Sequence, residues 1–188
     1  MANIIAISGS LRKASYNTAL ARAAAELMPP SSRLELASIG GIPVYDGDVE
    51  AQGLPPAVTA LKERLVAADG WLLVTPEYNN SVPGSLKNAI DWLSRPSSDI
   101  PRVFGNRPVG VIGATPGSGG TRLAQTAWLP VFRTLGMLPF FEKVLYVASA
   151  AKVFDEEGRL TDERVKTQLT AYVRAFVAFV ERAASKEP

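Results

Sequence analysis

Three short stretches hold the polar side chains that could do chemistry. Residues 8–18 read Ser-Gly-Ser-Leu-Arg-Lys-Ala-Ser-Tyr-Asn-Thr. They lie between an apolar run (Ile4, Ile5, Ala6, Ile7) that predicts a buried strand and an alanine-rich segment, residues 19–28, that predicts a helix. A helix N-terminus presents unpaired N–H groups and the positive end of the macrodipole. Ser10, Ser15, Asn17 and Thr18 can donate hydrogen bonds to an anion there, and Arg12 can pair with it. The chemistry is phosphate binding. The plainer alternative is a capped helix after a solvated loop, with Asn17 as the cap. Residues 76–83 (Pro-Glu-Tyr-Asn-Asn-Ser-Val-Pro) and 115–120 (Thr-Pro-Gly-Ser-Gly-Gly) are the other stretches rich in hydroxyls, amides and glycine.

Composition narrows the chemistry further. The 188 residues contain no Cys and no His, which excludes thiolate nucleophiles, Cys- or His-ligated metals and the Ser-His-Asp triad. An enzyme with this inventory is expected to leave the chemistry to a cofactor. A net charge of +2 with scattered Lys and Arg gives no nucleic-acid footprint. No signal-peptide pattern or membrane-length apolar run is present, so a cytoplasmic protein without a membrane partner is expected. Asp46, Asp48 and Glu50 lack the spacing of a calcium loop and read as a solvated turn, and no metal site is expected.

The elements that must position these stretches alternate along the chain. A short alternating strand is predicted over residues 33–37 and a helix from Pro55-Pro56, with Val58, Leu61, Leu65 and Ala68 inward and Lys62, Glu63 and Arg64 outward. Residues 71–74 form a continuous apolar run, followed by a helix with Leu86, Ala89, Ile90 and Leu93 on one face. Another strand over 109–114 leads to a helix from about 121 to 135, which Pro130 should kink or end. Residues 139–148 are the fifth strand candidate. The last helix is expected to have Thr161 as N-cap, an apolar stripe through Val165, Leu169, Tyr172, Val173, Phe176 and Val180, and a frayed end at 184–188. Five alternations without a linker predict one α/β domain over residues 1–188, a doubly wound five-stranded parallel sheet with helices on both faces. In such sheets ligands bind at the carboxyl ends of the strands, where all three polar stretches fall.

The first stretch fails both the Gly-x-x-x-x-Gly-Lys-Ser/Thr and the Gly-x-Gly-x-x-Gly patterns, which disfavours a dinucleotide-binding domain. A mononucleotide fits better, with its phosphate at residues 9–17 and a flat ring between the second and third stretches. Tyr78 can supply a wall and Asn79 an amide. Gly9-Ser10-Leu11-Arg12-Lys13-Ala14-Ser15-Tyr16-Asn17, together with Pro76-Glu77-Tyr78-Asn79-Asn80-Ser81-Val82-Pro83-Gly84 and Leu86-Lys87-Asn88-Ala89-Ile90-Asp91-Trp92, resembles the NADPH-dependent FMN reductase family, in particular its chromate, quinone and azo-dye reductases.

That resemblance implies a flavodoxin-like fold of strand order 2-1-3-4-5, non-covalent FMN, NADPH or NADH as co-substrate, and a homodimer or homotetramer. It places Ser10, Arg12, Ser15, Tyr16 and Asn17 around the phosphate and ribityl chain. Pro76, Glu77, Tyr78 and Asn79 flank the isoalloxazine, and Thr115, Pro116, Gly117 and Ser118 stand at its pyrimidine end. Asn80, where many relatives carry a larger residue, is an expected substrate contact. Independently of the resemblance, Arg95, just after the helix that carries Leu86–Leu93, could attract an anionic substrate or the nucleotide's phosphate, with simple surface placement as the alternative. For Glu77 the main chain is expected to matter, with the carboxylate facing solvent or a partner subunit. The implied reaction is ping-pong: hydride passes from nicotinamide to flavin N5, then two electrons pass to a small acceptor such as a quinone, azo compound, chromate, ferric species or free FMN. No side chain serves as a catalytic group. A flavodoxin-like electron carrier and an FMN-binding redox sensor are the rival readings; the near-neutral charge and Arg12 count against the carrier.

Overall fold

The computed structural model describes residues 1–185; the end of the fray expected at 184–188 lies outside the described residues. In chain order the elements are β1 (Ala2–Ser8), α1 (Tyr16–Glu26), β2 (Ser32–Ala37), α2 (Gly47–Glu50), α3 (Pro56–Val66), β3 (Gly70–Val74) and α4 (Gly84–Leu93). There follow α5 (Ile100–Val103), β4 (Pro108–Ala114), α6 (Arg122–Ala127), α7 (Leu129–Leu135), β5 (Leu138–Pro139), β6 (Tyr146–Val147) and α8 (Glu163–Ala184). All strand pairings are parallel, in the order β2-β1-β3-β4-β5, with β6 also on β4. This is the flavodoxin-like, doubly wound sheet expected.

Successive side chains of each strand enter opposite layers. Ile4 and Ala6 of β1, with Leu72 and Val74 of β3, pack under α1 and α8 against Leu20, Tyr172 and Phe176. Ile5 and Ile7, with Trp71 and Leu73, pack under α3, α4 and α7 against Leu61, Leu65, Ile90 and Phe132. Covering both faces is why β3 is apolar throughout. The expected helix over 121–135 divides at Trp128, and Pro130 becomes the second residue of α7. A proline there lacks the N–H that would continue the α6 ladder.

Three expectations need correction. The fifth strand is two fragments: β5 pairs with Pro108 and Val109, β6 with Gly113 and Ala114, and the chain leaves the sheet between them. Phe140 turns inward at the break to meet Tyr172, Phe176 and Phe179, with ring centroids 5.3–5.5 Å apart. In the gap the Tyr172 hydroxyl donates to Val111 O at 3.2 Å, and burial pushes that phenol's pKa up. Second, Lys62 is buried, its ammonium bonded to Arg95 O and, at 3.1 Å, to Asp99 Oδ2. Hydrogen bonds from Lys62 and Arg102 hold the Asp99 carboxyl below its usual range. Third, α8 is capped by Asp162, which accepts from Val165 N, one residue beyond Thr161. Among the described residues no helix is long and apolar enough to cross a membrane, and no three-residue cluster of metal-ligating type occurs.

Candidate functional site

β1, β3 and β4 end at one edge of the sheet, and each runs into one of the three polar stretches. Gly9 begins the first loop, its N–H donating to Val74 O at 2.9 Å and its carbonyl accepting from Ser85 Oγ at 3.3 Å. A Cβ at Gly9 would stand 2.8 Å from Pro76 Cδ, so glycine is what lets the first and second loops touch. Ser15 is the α1 N-cap, its Oγ accepting from Thr18 N at 3.2 Å while its own hydroxyl proton stays available. Tyr16 and Asn17 open the helix with main-chain N–H groups that have no carbonyl to reach. The Arg12 guanidinium lies 5.3 Å from the Tyr16 ring centre, and Ser10 Oγ accepts from Arg12 N at 3.4 Å.

Asn17 is therefore the second residue of the helix and not its cap. Its buried amide makes two bonds of 2.9 Å to a single residue, donating to Ala114 O and accepting from Ala114 N. The side chain continues β4 as a further strand residue would, tying the first loop to the start of the third. Its contribution to an anion site is its main-chain N–H.

The second loop leaves β3 through buried Thr75, whose hydroxyl donates to Pro76 O and accepts from Trp128 Nε1. Tyr78 and Ser81 then exchange two main-chain bonds of 3.2 and 3.0 Å around Asn79 and Asn80, both left-handed at φ 51° and 59°. Positive φ at both central positions makes a type I′ turn, which asparagine tolerates well. Turn chemistry thus accounts for Asn79 and Asn80, both exposed, and the turn carries exposed Tyr78 above the edge. The Glu77 carboxylate, half-buried, does not simply face solvent. Its Oε2 accepts at 2.9 Å from Ala124 N, in the first turn of α6. The α6 N-cap, Thr121, is left-handed and makes no side-chain cap bond, so Glu77 serves that helix end from the neighbouring loop. Glu77→Ala is expected to cost about 1 kcal/mol in urea unfolding and to weaken cofactor retention, whereas Glu77→Gln, which keeps an acceptor oxygen, loses less than half of that. Equal losses in the two variants would contradict the clamp.

The third loop is held by its ends. Thr115 N donates to Val147 O at 2.9 Å, Thr115 O accepts from Ala150 N at 3.0 Å, and Gly117 O accepts from Ser149 N at 2.9 Å. Thr121 Oγ1 accepts from Gln125 Nε2, which also donates to Leu145 O. Between these anchors Pro116, Gly117, Ser118 and Gly119 are exposed. The N–H groups of Ser118 and Gly119 make no bond to any described residue, so the loop presents free donors at the edge.

The structure thus gathers Ser10, Arg12, Ser15, Tyr16, Asn17, residues 76–80 and residues 115–118 along one edge. It does not bring Arg95 there. Arg95 follows the far end of α4, a helix of ten residues and so about 15 Å long. Its guanidinium lies 5.4 Å from the centre of the Tyr45 ring, and its Nε is buried without a hydrogen-bond partner.

Taken as a donor set, the edge has a hydroxyl- and Arg-bearing helix N-terminus for a phosphate, and an asparagine turn and a glycine-rich loop for a flat ring. A sequence profile of NADPH-dependent FMN reductases matches residues 2–152, about four-fifths of the chain. The chain belongs to the NADPH-dependent FMN reductase family. It is accordingly an NAD(P)H-dependent flavin oxidoreductase with FMN as its cofactor. It is 41% identical over 179 residues to an NAD(P)H-dependent FMN reductase of Pseudomonas aeruginosa, covering 95% of each chain. It is 36% identical over 177 residues to a 2-hydroxy-1,4-benzoquinone reductase of a Burkholderia species, covering 94% of this chain and 95% of the relative. Among solved structures it is similar to FerB, an NAD(P)H:(acceptor) oxidoreductase flavoenzyme of Paracoccus denitrificans. The TM-score is 0.87 at 34% identity, with 97% of this chain and 99% of that one aligned. The donor set fits FMN: Ser10, Ser15, Arg12 and the first-turn N–H groups for its phosphate, and loops 76–80 and 115–118 for its ring.

Proposed function

We propose that this family member is a single-domain (1–188) reductase that takes reducing equivalents from NADPH or NADH and passes them by ping-pong to small acceptors. Quinones lead the list, with azo compounds, chromate, ferric species and free FMN as further candidates. Bound FMN supplies the redox chemistry, accepting hydride from the nicotinamide and releasing two electrons to the acceptor. The chain's own part is binding and electrostatics. Ser10, Arg12 and Ser15 neutralise and hydrogen-bond the phosphate, and Pro76 and Tyr78 border the ring. The unbonded N–H groups of Ser118 and Gly119 supply fixed dipoles where negative charge collects on reduction.

The observation that carries the reading is the convergence of these donors on one edge beside an exposed second loop. Tyr78 is 53% exposed, so the cleft is open to nicotinamide and acceptor in turn. Two relatives named quinone reductase in Pseudomonas putida, at 38% and 37% identity, support quinones as the acceptor class. A homodimer or homotetramer is supported by exposed Leu129 and Phe141, which line one hollow of the surface. A cytoplasmic site of action follows from the same reading, since NAD(P)H is supplied there.

The test is anaerobic mixing of the FMN-loaded protein with NADPH, followed by the flavin's visible absorbance. Fast, complete bleaching that a quinone reverses after the oxidised nucleotide has been removed is the expected result. Slow or partial bleaching would overturn the reading in favour of an electron carrier.

A further inference from the structure

The outer side of the third loop borders a cavity of about 670 Å³ between β6, residues 149–153 and the first turns of α8. Arg122, Lys143, Lys152 and Arg164 line it. The sole carboxylate in its wall is Asp162, already engaged in capping α8. Among the described residues none of the four cations forms an ion pair; Arg122 lies over the Tyr146 ring at 5.2 Å. In a chain with 20 basic and 18 acidic residues, four cations against one carboxylate around one cavity form a local excess of positive charge.

A second cleft, of about 450 Å³ beside the first loop, shows the contrast. There Arg12, Lys13 and Arg22 face Asp155, Glu156 and Glu157, so the charges balance. The larger cavity is also joined directly to the ring-flanking loop. Ser149, in its wall, donates to Gly117 O, and a Cβ at Gly120 would stand 2.7 Å from Tyr146 Cβ. One loop therefore has the flavin edge on one side and the basic cavity on the other. Its volume is that of a small-molecule site.

NADPH and NADH differ by one phosphate on the adenosine ribose, a group carrying up to about two negative charges at neutral pH. We propose that this cavity takes the phosphorylated adenosine arm of NADPH, and that Arg122, Lys143, Lys152 and Arg164 set a preference for NADPH over NADH. The assignment rests on the reductase reading and adds to it the residues that choose the co-substrate.

Calorimetric titration of the FMN-loaded protein with 2′,5′-ADP and with 5′-AMP tests it without turnover. The expected result is binding of 2′,5′-ADP on the order of tenfold tighter than 5′-AMP, weakening with salt and competitive with NADPH. In the Lys152→Ala/Arg164→Ala variant that difference disappears and KM for NADPH rises on the order of tenfold, while KM for NADH, FMN affinity and Tm stay unchanged. Equal affinities for the two nucleotides, binding that does not compete with NADPH, or an unaltered NADPH preference in the variant would each overturn the proposal. Failure of NADPH to bleach the flavin of the unaltered protein is a separate result and overturns the reductase reading instead.

Discussion

Asn17→Ala is expected to lower unfolding stability by about 2–4 kcal/mol. Both bonds from this amide go to the main chain of Ala114, and alanine would leave a buried N–H and a buried carbonyl without partners. Each orphaned group costs about 1–3 kcal/mol, and the gain in helix propensity, about 0.5 kcal/mol, offsets little of it. The effect should reach the cofactor as well. Asn17 fixes the start of α1 against the end of β4, so its loss lets the phosphate donors move relative to the ring loop. Urea unfolding with and without excess FMN reads both: the midpoint of the apoprotein falls, and FMN restores less of it than in the native protein. A loss below about 1 kcal/mol would mean that another donor and acceptor replace the amide.

The second large effect is expected at Gly113, in β4 beneath the same edge. A Cβ there would fall well inside contact distance of Thr121 Oγ1 and of Thr75 O. Thr75 is the residue from which the second loop leaves the sheet, and Thr121 closes the third. Neither can yield easily, since one contact is backbone and the other belongs to a fully buried side chain bonded to Gln125. Gly113→Ala should therefore cost about 3 kcal/mol or prevent folding, and any folded fraction should bind FMN poorly because the loops on either side of the ring are forced apart. Gly84→Ala is the matched control. A Cβ there meets nothing within 4 Å, and stability should be unchanged or rise by up to about 1 kcal/mol. A Gly113→Ala protein that melts with the native one would refute the close approach.

What the sequence shows follows the range of the interactions. The buried strands, the faces of α3, α4 and α8, and the break at Pro130 follow from periodicity and proline chemistry. The three loops at the strand ends follow from the alternation of elements. The Tyr78–Ser81 turn was not legible: residues 76–83 read only as a polar loop, although two adjacent asparagines are residues that tolerate positive φ. The long-range partners were not legible either. Lys62 sits at the border of an apolar stripe and reads as solvated until Asp99, 37 residues away, is placed beside it. Glu77 meets Ala124 across 47 residues and Asn17 meets Ala114 across 97. A polar residue among apolar neighbours near a strand end is the local sign of such a bond, and it does not name the partner. Arg95 fails for the opposite reason. Closeness in sequence to the second loop suggested the cleft, but α4 carries it to the other end of the layer.

The divided fifth strand has a consequence outside the cleft. A sheet whose last strand is long and flat offers a row of free donors and acceptors on which another chain's strand can add. Here the row is broken after Pro139, which has no N–H to offer, and the excursion that follows carries Glu142 and Lys143 into solvent. The Tyr172 hydroxyl already occupies the Val111 carbonyl that an added strand would need. This edge of the sheet, opposite β2, is thereby a poor template for fibrous aggregation, and the protection comes from the same break that turns Phe140 into the core.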